Sequence, residues 1–144
     1  MSNSAFEIIS FVKNSTKTGL LWGIGLMVIT VIVVQFLSYH QVIELFSMAM
    51  VLIGSVYLGF AFKEERIRYR KIEIVTAVFF VMTALIGLWW SPWTIVGGLF
   101  LHGIWDLLHH NESTLTQIPE WYIPLCVVYD WAAAGYLTYF IISN

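Results

Sequence analysis

An all-α, polytopic transmembrane helical bundle of about five spans is the fold class this sequence predicts, and three observations predict it. Of its 144 residues, 59% are hydrophobic and 11% charged, whereas a soluble domain carries about 25% charged residues. Mean hydropathy is +0.79. Five segments approach the roughly 20 apolar residues that a helix needs to cross about 30 Å of hydrocarbon. A water-soluble fold is disfavoured by the same composition, because too few polar residues remain to cover the surface outside a core.

The spans are read at 19–37, 42–62, 72–90, 93–109 and 121–142. Many of their residues are Val, Ile and Phe, which favour strands in water. In lipid an isolated strand leaves its backbone groups unpaired, and the segments lack the alternation and strand number of a membrane barrel. The first span follows Lys13 and Lys17 and opens with Gly19-x-x-x-Gly23, a spacing that lets helices approach closely. No compact apolar segment before it ends in a small-residue cleavage site, so it is expected to be an uncleaved anchor. The second span follows the short turn Ser38 to Gln41, and its outer-end residues His40 and Glu44 reach the interface. The third runs from the basic segment Lys63 to Lys71 to Ser91-Pro92, where the proline lacks a backbone donor. The fourth is the shortest and least apolar. Its Gly97, Gly98 and Gly103, with Ala132 to Gly135 in the fifth, are expected to let these two helices touch. Pro119 and Pro124 bracket the start of the fifth, and Trp89, Trp90, Trp93, Trp121 and Tyr122 sit at span ends, where amphipathic rings settle. No repeat or linker divides the chain, so residues 1–144 form one domain.

Formal charge is −2, but the seven basic residues are clustered: Lys13 and Lys17, then Lys63, Arg66, Arg68, Arg70 and Lys71. Such a cluster can meet nucleic acid or anionic lipid. The topological reading is preferred, because Lys and Arg collect in loops that stay in the cytoplasm. Alternation then puts the N-terminus in and the C-terminus out of a multi-pass protein of the cell membrane. The expected partners are the lipid bilayer and a second copy or a larger membrane complex, with no nucleic acid. Cys126 is the only cysteine, so an internal disulfide is excluded, and it is expected to be inert packing.

Ionisable residues inside the spans gather in one place. The fourth carries His102, Asp106 and His109, with His110 just beyond, and the fifth carries Asp130. At about 100° per residue, His102, Asp106 and His109 share one helical face. Counted from the cytoplasmic ends, His102 and Asp130 both lie roughly 10–14 Å deep, so antiparallel helices bring Asp130 opposite His102 and Asp106. Charges at that depth cost at least about 2.5 kcal/mol each and face the bundle interior. Imidazole and carboxylate suit Zn²⁺ with a water as a further ligand, and that water ionises near neutral pH. The metal ligands are expected among His102, Asp106, His109 and Asp130, with Asp106 or Asp130 free to orient a ligand or act as a catalytic base. A structural network, such as His102 paired with Asp130, and a proton path are the other two readings. A di-iron oxygenase ranks low, since two irons need more ligands than these and His40 falls on the opposite side.

The stretch from Leu101 to about Tyr136 resembles a family of small uncharacterised bacterial integral membrane proteins, a domain of unknown function. Its pattern is His-x-x-Trp-Asp-x-x-His-His, then a proline-containing loop, then a Cys with an Asp four residues on. In this chain that is His102, Trp105-Asp106, His109-His110, Pro119, Cys126 and Asp130. The resemblance covers the last third of the chain. It implies a polytopic membrane protein and marks the same polar face, and it supplies no reaction.

The leading functional expectation is therefore a membrane-embedded, zinc-dependent site that hydrolyses a lipidic substrate. The alternatives are a proton-coupled carrier or channel, dimerised to enclose a path, and a non-catalytic subunit of a membrane complex.

Overall fold

A computed structural model describes residues 2–109, 116 and 118–144, with side chains from residue 15 onward. His110 lies outside the described residues. The described chain is all helix and short connections: α1 (Ser2–Val34), α2 (Tyr39–Lys63), α3 (Ile67–Trp89), α4 (Trp93–His109) and α5 (Tyr122–Ser143). The Ser15–Val34 part of α1, together with α2, α3 and α5, gives four helices long and apolar enough to cross a membrane. The chain is thus a small multi-pass membrane protein. With 17 residues, α4 is shorter than the other four, about 25 Å at 1.5 Å per residue.

Hydropathy marks what lipid covers, and helix extends beyond it. The segment read as a basic loop is mostly helical: Lys63 closes α2, and Arg68, Arg70 and Lys71 form the first turns of α3. Lys and Arg are good helix formers, so nothing in their chemistry ends a helix. Glu64 makes the break. Its carboxylate accepts from the Arg66 backbone at 2.9 Å and from the Arg66 guanidinium at 2.8 Å through both oxygens. The Arg66 side chain thereby holds the Glu64 carboxyl down at about 2. At the other end of α1, Gln35, Phe36 and Leu37 bond three residues back, tightening the chain into a turn before Ser38. Ser38 caps α2, with its N–H donating to Gln41 Oε1 at 2.9 Å.

Helix α2 packs on α3, α4 on α5, α1 on α5, and α3 on α4. Their common core includes Phe46, Met50, Phe80, Leu99, Ala133 and Leu137, drawn from four helices. The outward faces are equally apolar: Leu21, Leu52, Val75 and Ile142 are each 69–72% exposed. Exposed apolar surface costs about 25 cal/mol per Å² in water, so hydrocarbon is the solvent these faces fit.

The Gly19-x-x-x-Gly23 spacing proves to be a helix contact. A Cβ at Gly19 would collide with the backbone carbonyl of Trp121, and one at Gly23 would lie 2.6 Å from the Leu125 carbonyl. Gly23→Leu is therefore expected to cost about 1–3 kcal/mol by overpacking. Gly25→Leu, with nothing within 4 Å, serves as the neutral control in thermal unfolding in detergent. The glycines of α4 divide their work differently from the expectation. Gly103 meets the Trp131 indole of α5, but Gly98 faces Thr83 and Met50, and Gly97 and Gly135 face open space. Of the glycines in these two helices, Gly103 is the one that meets its partner across the α4–α5 seam.

Candidate metal centre

Four helices supply the polar interior. Helix α4 turns His102, Asp106 and His109 inward, and all three are buried. Their spacings of four and three residues return the chain to one face, as the sequence predicts. Helix α5 presents Asp130 on the same face as Cys126, Ala133 and Ala134. Helix α2 adds Tyr57, and α3 adds Glu73, Ala77 and Phe80 along one stripe.

His102, Asp106 and Asp130 are each 0% exposed. Each offers one ligand atom, and the three atoms lie within 4.8 Å of one another. His102 Nδ1 stands 2.7 Å from Asp130 Oδ2 and 3.4 Å from Asp106 Oδ2. Carboxylate oxygens only accept, so Nδ1–H is the donor to Asp130. The Tyr57 hydroxyl donates to Asp106 Oδ1 in a short hydrogen bond. The Tyr57 and Phe80 rings close over His102, with centroids 5.2 and 4.7 Å from the imidazole. The depth argument, which set Asp130 opposite His102 and Asp106, is met by these distances.

His109 is not part of that group. Its Nδ1 lies 2.9 Å from the Trp105 carbonyl and its Nε2 2.8 Å from Glu73 Oε1. A carbonyl cannot donate, so Nδ1 carries a hydrogen, and a single proton is shared between Nε2 and Glu73. In either form this pair is neutral as a unit. His109 thus stands outside the group of three, with Glu73 on its Nε2. Glu73 and Tyr57 were missed in the sequence. Glu73 had a visible signal, an acid two residues into an apolar span with Ala77 and Phe80 following at helical spacing. Tyr57 gave no such signal, since a tyrosine inside a span is common.

The donor set fits a divalent cation on two counts. Asp106 Oδ2 and Asp130 Oδ1 are buried and lack a hydrogen-bond partner, an arrangement proteins avoid unless something else satisfies the atoms. One imidazole and two carboxylates are also ligands that zinc accepts, and the oxygen-rich balance suits Mn²⁺ as well.

No family model, curated protein or solved structure matches the chain. What stands is a small multi-pass membrane protein with a buried His102, Asp106 and Asp130 group.

Proposed function

We propose that His102, Asp106 and Asp130 hold one divalent ion, zinc by donor chemistry, and that the protein uses it to hydrolyse a lipidic substrate within the membrane. One observation carries this reading: the three groups converge in a fully buried space where Asp106 Oδ2 and Asp130 Oδ1 lack a hydrogen-bond partner. The Glu73–His109 pair is neutral by itself. With both carboxylates ionised the His102 group is negative even when its imidazole is protonated, so it calls for a cation or a further proton, since an uncompensated buried charge costs several kcal/mol. A divalent ion with a neutral imidazole and two carboxylates sums to zero.

Such an ion, when bound, supplies a polarised water that ionises near neutral pH. The chain's own residues do the remainder. The Tyr57 hydroxyl fixes the rotation of the Asp106 carboxylate, and Asp106 Oδ2 and Asp130 Oδ1, the two buried oxygens without a hydrogen-bond partner, would face the ion. An imidazole must be deprotonated at the nitrogen that holds an ion, so metal affinity is expected to rise with pH. The substrate class follows from the neighbouring cleft. A space of about 340 Å³ is lined by Ile29 of α1, Ile53 and Val56 of α2, and Leu125, Cys126 and Tyr129 of α5. Cys126 is one helical turn from Asp130, so an apolar chain lying in the cleft ends beside the site. In this reading α4 makes a fifth crossing of the cell membrane, the N-terminus and the basic segment are cytoplasmic, and the C-terminus is outside.

Metal analysis of detergent-purified protein tests the proposal. One zinc or manganese per chain is expected, lost in Asp106→Ala and bound about 10–100-fold more weakly in Tyr57→Phe, as for an outer-shell partner. Metal-free protein of full stability would sink it. A proton-coupled carrier is the second reading, favoured by Tyr57, whose ring lies 5.2 Å from both His102 and His109. Proton flux into liposomes by metal-free protein, abolished when His102 and Asp130 are replaced, would select it instead.

A further inference from the structure

Toward the end of α2 remote from Tyr57, two grooves between α2 and α3 meet. One, of about 400 Å³, runs along Met48, Val51 and Leu52 of α2 and Ala84 and Leu85 of α3. The other, of about 470 Å³, opens at the span end among Tyr39, His40, Glu44, Trp89 and Trp90. Glu44 and Leu88 line both. Together they follow α2 from residue 39 to 55, about 24 Å at 1.5 Å per residue.

The groove is zoned like an amphiphile. Its shaft is apolar, because the two serines there are satisfied by backbone: Ser47 donates to the Ala84 carbonyl at 3.1 Å and Ser55 to the Val51 carbonyl at 2.6 Å. Its mouth carries an exposed carboxylate and three aromatic rings. Among the described residues no Lys or Arg lines this mouth, and its one nitrogen base is the His40 imidazole. An anionic headgroup would meet a like charge here. An ammonium finds a carboxylate together with indole and phenol faces, the surroundings that attract a cation by its charge and by the ring quadrupoles.

We infer that this groove holds a membrane lipid with an ammonium headgroup, its head at Glu44, Tyr39, Trp89 and Trp90 and an acyl chain along Val51 and Leu52. The site is separate from His102, Asp106 and Asp130 and stands whether or not a metal binds there.

The test uses the full chain in nanodiscs of equal phosphatidylethanolamine and phosphatidylglycerol, followed by native mass spectrometry of the lipid retained after extraction. Wild type is expected to retain phosphatidylethanolamine in roughly tenfold preference, the scale of one desolvated cation–aromatic contact. Glu44→Gln should abolish the preference and Glu44→Asp should keep it. Leu52→Trp, at a position 69% exposed, should lower total retention by filling the shaft while leaving the headgroup ratio unchanged. Equal retention of the two lipids by wild type, or a preference that survives Glu44→Gln, overturns the inference. Glu44 is exposed, so its substitution leaves the helix packing intact.

Discussion

Replacing His102 by leucine is expected to lower stability by about 3–5 kcal/mol, the scale on which removing one partner strands a buried charge. Nδ1–H of His102 donates to Asp130 and faces Asp106. Without it, two carboxylates that are 0% exposed confront each other with only the Tyr57 hydroxyl as donor. Leucine has nearly the volume of histidine, so the loss is electrostatic and not a cavity effect. The measurement is reversible unfolding in mixed micelles with chelator present, so that a lost metal does not enter the difference. The double variant His102→Leu/Asp130→Leu should recover part of the loss, because an apolar pair in place of a buried ionic one is often neutral or stabilising. A cost below about 1 kcal/mol, the range of exposed ion pairs, would mean that His102 is not held between the two carboxylates as described.

The residues of α4 and α5 were legible because two independent rules point to the same positions. Helical periodicity puts His102, Asp106 and His109 on one face, and depth puts Asp130 level with His102. Agreement between a rotation and a height fixes a location in a bundle without knowing any other helix. His109 shows where such reasoning stops. Periodicity says which way a side chain points but not which neighbour it meets, and its neighbour is Glu73 on α3, a helix that the α4 and α5 pattern does not mention. The ends of α1 and α3 were misjudged for a related reason. Hydropathy reports the solvent around a helix, so residues 2–18 of α1 and 67–71 of α3 stand outside the apolar spans read from the sequence although they are helical. Those residues are helical by propensity, which changes no hydropathy at all. Glycine spacing was informative at Gly19 and Gly23 and silent on direction at Gly98, because a small residue permits approach without naming the helix that comes close.

The Glu73–His109 pair should respond unequally to loss of its two members. Glu73→Leu leaves His109 with Nδ1–H still donating to the Trp105 carbonyl. The imidazole becomes neutral with one unpaired acceptor, a loss of about 1–3 kcal/mol. His109→Leu leaves a carboxyl group that is 0% exposed, with Oε2 already lacking a partner. That group must remain charged in an apolar place or take up a proton, so the cost should reach about 3–5 kcal/mol at neutral pH. Unfolding of the two variants in detergent at neutral pH reads both costs. Equal losses would show that removing His109 strands no carboxyl group, and that Glu73 and His109 are not joined as described.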